Sequence, residues 1–265
     1  MELIRLSALD LGLAAGLVLL LAILSFRLSL GVERKLLIAA LRSIVQLTLL
    51  GLVLKSLFAQ SHPLFIAALA LFMLFMAGYE VMARQARRFS GAWGMGVGTL
   101  SMFISSFSVT ILALNVIIQV EPWYSVQYLI PLLGMLLGNT MSGIAISLDN
   151  LTHNAWQQRH QIEARLMLGH DWHNAIEEIR RNALRSGLIP IINAMAAAGV
   201  VSLPGMMTGQ ILAGSPPFEA AKYQILILLL ISAGTGFGAT AAVWLGSRRL
   251  FDERQRLRLD RLKSS

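Results

Sequence analysis

The sequence predicts an all-α polytopic membrane protein of about seven transmembrane helices, with the N-terminus outside and the C-terminus in the cytoplasm. Three observations predict it. Of 265 residues, 56% are hydrophobic and only 14% are charged. Ordinary soluble domains carry about 25% charged residues. Mean hydropathy is +0.67, more apolar side chain than a water-soluble surface can hide. That excludes a soluble globular enzyme, a disordered regulator and a fibrous protein. Second, apolar stretches recur at the length of a spanning helix, about 20 residues. A helix satisfies its own backbone polar groups where no water can. Third, the basic residues fall overwhelmingly in alternate connections.

The first span is expected from about Leu6 to Phe26. Its apolar run is long and no small-residue cleavage site follows, so it is not read as a cleaved signal. The second covers about Leu37 to Phe58, the third Pro63 to Met82, the fourth Gly94 to Val120 and the fifth Val126 to Leu148. A long polar segment follows. The sixth span is expected from about Leu188 to Leu203 and the seventh from Tyr223 to Leu245. Between them, Gly205 to Gly214 is apolar but short. It reads as re-entrant, interfacial or an extension of the sixth helix.

Arg27, Arg34 and Lys35 follow the first span; Arg84, Arg87 and Arg88 follow the third. Arg159, Arg165, Arg180, Arg181 and Arg185 lie between the fifth and sixth, and a run from Arg248 to Lys263 follows the seventh. The opposite side holds Arg5, Lys55 and Lys222. Excess Lys and Arg marks the cytoplasmic side. The net charge of +8 is thereby accounted for as topology and headgroup contact, with no nucleic-acid partner. There is no cysteine, which excludes disulfide frameworks, zinc ribbons, iron–sulfur clusters and thiol nucleophiles. Residues 1–265 form one membrane domain in this reading. Residues 149–187 are a cytoplasmic docking segment within it, and 247–265 a basic cytoplasmic tail.

The docking segment carries the more specific signal. Residues from Glu163 to Leu168 read as a short amphipathic helix ended by Gly169. Trp172 to Ala183 reads as a second helix. Two short helices joined at a glycine suit docking into a cleft on a partner. Glu163-Ala164-Arg165, three residues, Gly169, nine residues and Ile179 resemble the cytoplasmic signature of ABC-transporter permeases. Arg165 departs from the alanine of that pattern, and its closing Leu-Pro is replaced by Arg181 and Asn182.

Further stretches resemble one permease family: Ile130-Pro131 through Gly134-Met135 and Gly138-Asn139 to Met141, Gly199 to Gly209 around Ser202-Leu203-Pro204-Gly205-Met206-Met207, Ala213-Gly214 with Lys222-Tyr223-Gln224, and Arg42 to Leu54. Together they resemble the Fet-type iron-export ABC permeases, whose plant relatives act in aluminium tolerance. The likeness runs from the first span to the seventh. It implies a multi-pass subunit of the cell (inner) membrane that works as a homodimer. It also implies a separate ABC ATP-binding subunit, iron as cargo and a role against oxidative stress. ATP would then be held by the partner, with no cofactor bound directly by this chain. The chain itself has no GxxxxGK[ST] loop.

Polar residues inside spans are costly and usually face protein or water. Arg42 and Gln46 share a helix face; a permeation path, an inter-helix network and a snorkelling arginine all fit. Asn139 and Asn193 sit within spans five and six, and Met206 and Met207 form a thioether pair beside Pro204. Amides suit hard cations and thioethers softer ones. Helix-to-helix hydrogen bonding or core packing is the plainer account of each. No set of acids and histidines spells out a metal site. Two alternatives stay open: an ABC permease for another cargo, such as a different metal or a sugar nucleotide, and a non-ABC membrane enzyme. No HExxH or GxSxG motif favours the enzyme.

Overall fold

The computed structural model describes residues 7–60 and 63–264; Arg5 lies outside them. Among the described residues six helices are long and apolar enough to cross a membrane: Leu9–Arg27, Glu33–Leu54, Pro63–Ala83, Ala92–Ile118, Val126–Gln157 and Pro217–Arg249. The chain divides into two compact units.

The first unit holds a helical hairpin. Helix α1 (Ala8–Arg27) opens on a capping box. The Asp10 N–H donates to Ser7 Oγ at 3.3 Å, and the Ser7 N–H to Asp10 Oδ2 at 2.8 Å. The Ser25 hydroxyl reaches Glu33 Oε2 at 3.2 Å, closing the turn into α2 (Glu33–Gln60). Leucines are exposed on every side of both helices. So many exposed leucines suit an apolar surrounding, with Arg42, Ser43 and Gln46 forming a polar stripe on α2.

The second unit is a bundle. It contains α3 (Pro63–Ala83), β1 (Arg87–Phe89), α4 (Ala92–Met102), a π-helical stretch Phe103–Phe107, α5 (Ser108–Leu112) and a second π-helical stretch Ala113–Ile118. Then come α6 (Val126–Gln157), α7 (Arg159–Met167), α8 (Trp172–Ala175), α9 (Glu177–Ala197), α10 (Gly205–Leu212), α11 (Pro217–Arg249) and β2 (Leu262–Ser264).

Small residues let these backbones approach closely, and their contacts fix directions. Gly78 abuts Thr99 while Gly98 abuts Val81, so α3 and α4 are antiparallel. Gly234 and Gly238 meet Thr140, and Gly246 meets Leu148 and Leu151, so α11 runs parallel to α6. Trp172 stacks on Phe251 at 5.6 Å, while Gly236 faces Leu188 further up; α9 is therefore antiparallel to α11. Within this unit the basic segments that follow α3, α6 and α11 gather at one end. The Ala86 N–H donates to Asp149 Oδ1 at 2.7 Å, and Arg249 lies over Trp93 at 4.8 Å.

Two expectations change. The second docking helix, expected over Trp172 to Ala183, is broken at Ile176, and its part from Glu177 is one element with the sixth span, since nothing breaks the helix between Glu177 and Ala197 and Pro190 is carried inside it. The apolar part of α9 beyond Gly187 is only about 16 Å long, half the ~30 Å hydrocarbon core, so 188–203 is not a separate spanning helix. It ends in a turn at Ala198–Ser202, followed by the short α10. Because α6 and α11 are parallel, the chain between them must still return along the bundle. It does so through α9, this turn and α10.

The stretch expected as a basic tail is folded. β2 pairs antiparallel with β1, Phe89 opposite Leu262. The Ser90 N–H donates to the Arg261 carbonyl at 2.8 Å. Arg261 Nη1 donates to the carbonyls of Arg249 (2.9 Å) and Phe251 (3.2 Å). Phe89, Leu250, Phe251 and Leu262 are buried. Phe89→Ala, a truncation of the kind that costs about 3–5 kcal/mol in a packed core, should release this cap. Limited trypsin digestion checks it: cleavage after Arg254 and Arg256 should become several-fold faster than in the parent protein.

Candidate docking face and polar positions in the spans

Helix α6 is about 48 Å long, so it extends well beyond a membrane core and carries the next helices with it. Gln158 breaks it with φ −97° and ψ 21°. Helix α7 is anchored by Ile162, which is fully buried against the core, while Leu166 packs beside it. At its end the Gly169 N–H donates to the Leu166 carbonyl (3.0 Å) and the His170 N–H to that of Arg165 (3.2 Å). These two bonds form a Schellman cap, and the φ of +91° at Gly169 explains why glycine stands there. Asp171 then caps α8, accepting the Asn174 N–H at 2.9 Å. Arg165 ties the two helices together, through the Ala175 carbonyl at 3.3 Å and Glu178 at 3.6 Å.

Folding back at Gly169 pushes a tip outward. Met167 is 83% exposed and Leu168 80%. Glu163, Ala164 and Gly169 are exposed on the same short helix and its cap. Ile179 is instead buried in the core, where it anchors α9. Sequence reasoning missed Met167 and Leu168. Their signal was an apolar pair just before a capping glycine in an otherwise polar segment.

A groove of about 680 Å³ runs beside the tip, between Glu163 and His170 on one side and Arg254 to Leu257 on the other. The tail's wall is held by ion pairs. Asp252 accepts the Arg256 N–H, which holds its carboxyl below the usual carboxylate range. The Arg258 side chain does the same for Asp260, whose carboxylate in turn raises Arg258.

The polar span residues lie in different places. Arg42 and Gln46 are exposed on α2, in the first unit. Asn139 is exposed on α6, its amide donating to the Met135 carbonyl of its own helix at 2.8 Å. Asn193 is exposed on α9, and Met206 and Met207 are half-buried on α10. Gly187 abuts Gly143 and Ser147; counted from that contact on antiparallel helices, Asn193 and Asn139 come to about the same depth. Among the described residues no group of three or more His, Asp or Glu side chains could hold a metal ion.

One polar feature escaped sequence reasoning altogether. Ser101, Ser105, Ser106, Thr110, Thr140, Ser147 and Thr235 are all buried. Ser105 and Thr140 both bear on Gly238. Ser105 and Ser106 lie on the first π-helical stretch, a deviation often found at functional sites. Single hydroxyls scattered through apolar spans give no signal until helices bring them together.

The family model of UPF0014, described as an uncharacterised protein family, matches residues 8–251. A UPF0014 membrane protein of Synechocystis is 38% identical over 220 residues, 82% of this chain and 83% of its own. The Escherichia coli protein named as probable iron export permease protein FetB is 30% identical over 262 residues, 96% of each chain. Protein ALUMINUM SENSITIVE 3 of Arabidopsis thaliana is 32% identical over 219 residues, 82% of this chain and 78% of its own. No solved structure matches. With a family model spanning nearly its whole length, and with relatives named as membrane proteins or a permease, this multi-pass membrane chain belongs to the UPF0014 family.

Proposed function

We propose that this chain is the membrane permease subunit of an ABC transporter of the inner membrane. Two copies form the pathway, and two separate ATP-binding subunits drive it. The carrying observation is the exposed Met167–Leu168 tip, held on the Gly169 cap at the arginine-rich end of the bundle. A rigid apolar knob flanked by Glu163 and Ala164 suits insertion into a cleft on an ATPase. Movement of that cleft reaches the spans through α9, which is continuous from the docking segment into the bundle.

Seven crossings follow in this reading, with α9, its turn and α10 making the sixth. The N-terminus is then outside and the arginine-rich end cytoplasmic, as the positive-inside rule requires. The cargo is iron, exported. Support for it is the name of the Escherichia coli relative, a probable iron export permease. In the second unit Asn139, Asn193, Met206 and Met207 line the path, offering amide and thioether contacts to a passing cation; in the first unit Arg42 and Gln46 are the polar positions assigned to transport. ATP stays on the partner.

The test is radio-iron accumulation in inverted vesicles containing this chain and its ATPase, with a Walker-lysine variant of the ATPase as control. Accumulation that requires ATP and the intact lysine supports export of iron. A complex that assembles and hydrolyses ATP without moving iron overturns the cargo and leaves the permease role.

A further inference from the structure

We propose that the arginine-rich end of the bundle contains a binding site for a phosphate-bearing anion, set at headgroup depth where α11 leaves the membrane. The site is a recess of about 1030 Å³ between the start of α4, the end of α11 and the folded tail. Five arginines line it, Arg248, Arg249, Arg254, Arg256 and Arg261, against two acids, Asp252 and Glu253. One of those acids is already committed. Asp252 pairs with Arg256 at 2.9 Å and accepts the backbone N–H groups of Arg254 and Arg256. The recess therefore keeps an excess of positive charge after its internal pairing.

Two further features distinguish it from a solvated basic surface. Arg249 Nε is buried and meets no hydrogen-bond partner among the described residues. Leaving a buried donor of a charged group unpaired is costly; packing closes Nε off, so an anion in the recess meets the guanidinium at its outer nitrogens and offsets part of that cost. The guanidinium is also held in place, over the Trp93 ring at 4.8 Å. A guanidinium presents a planar fork of donors that matches phosphate oxygens. Arg261 anchors the wall by donating to the Arg249 and Phe251 carbonyls, so the cluster is built by the fold.

The chemistry has two sources: the headgroup of an anionic phospholipid, and free phosphate. Tryptophan at Trp93 and Trp244, with Arg248 over the latter at 5.7 Å, is the usual furniture of the membrane interface. Basic pockets at this depth bind anionic headgroups.

Native mass spectrometry of the full chain in detergent tests the site, with no ATPase present, so docking does not enter. Phosphatidylglycerol, phosphatidylcholine and inorganic phosphate are titrated separately. Phosphatidylglycerol should bind the parent protein at least tenfold more tightly than phosphatidylcholine. Arg249→Gln/Arg254→Gln should weaken it by about fivefold per arginine, the weight of one basic residue at an anionic surface. Arg34→Gln, on α2, should leave it unchanged. Trp93→Leu removes the plate under Arg249 without altering charge, and should weaken binding even if the double variant fails to fold. Displacement of the lipid by millimolar phosphate identifies free phosphate as the ligand; retention of the lipid identifies the headgroup. Equal losses in Arg34→Gln and the recess variants, or no loss in Trp93→Leu and the double variant, overturn the proposal.

Discussion

Replacing Met167 and Leu168 together with aspartate should weaken the complex with the ATP-binding subunit at least 30-fold, while the chain accumulates and inserts normally. Both side chains are more than three-quarters exposed, so little of the fold is lost with them. Their neighbour Ile162 supplies the anchor of α7, and Gly169 supplies its cap. The substitution therefore removes only what a partner would touch. A central apolar anchor of an interface is worth about 2 kcal/mol or more, and 2 kcal/mol is about 30-fold in affinity. Two acids in its place add desolvation and repulsion. Glu163→Lys, at the edge of the same surface, should cost less and become more salt-dependent. Binding of the purified ATPase to the chain in nanodiscs measures both. Parental affinity in the double variant would place the docking surface elsewhere.

The second large effect concerns assembly of the bundle. Gly187→Leu should destabilise the protein by about 3 kcal/mol or more, the upper range of overpacking costs. A Cβ at Gly187 would overlap Ser147 Oγ and lie 2.6 Å from the Gly143 carbonyl oxygen. The first obstacle is a short side chain and the second is backbone, so neither can move far. Gly143 in turn bears on Thr235 of α11, so three helices meet at this level. Ser147→Ala added to Gly187→Ala should relieve part of the strain of the single alanine variant but not all, because the carbonyl remains. Gly138→Ala is the control: nothing lies within 4 Å of its Cβ position, and alanine is the better helix former. Thermal unfolding in detergent reads the series. A Gly187→Leu protein as stable as the parent would refute the close α6–α9 approach.

Local features were legible in the residues themselves. The lengths of the apolar runs placed the helix from Pro63 to Met82 within a few residues, because hydrocarbon thickness sets length; they also placed the start of α6 at Val126, while its end runs on past Leu148 to Gln157. Gly169 announced the end of α7, since few other residues accept a left-handed backbone there. Glu80 and Arg84, one helical turn apart, pair at 3.9 Å, as their i,i+4 spacing allows. Gly94 and Gly98 bear on Phe89 and Val81, the close approach that small residues in a span permit.

Other features depend on partners far away in the chain. Nothing between Trp172 and Leu203 says that one helix runs from the polar segment into the bundle; its contacts with α6 and α11 hold it together. The residues after Arg249 read only as a basic cytoplasmic tail, because arginines at that density give no sign of a fold. Their fold hangs on Phe89, Leu250, Phe251 and Leu262 meeting across more than 160 residues of sequence, as the pairing of Phe89 with Leu262 shows. The buried hydroxyls of α4, α6 and α11 are likewise unremarkable one at a time.

Membrane residence, helical class and family likeness were thus written in composition, run length and short motifs, because the bilayer acts on each segment separately. The path of the chain between α6 and α11, the Met167–Leu168 tip, the tail cap and the arginine recess came from packing. Each needs side chains from several helices at one depth, and that depth is set by where backbones can touch.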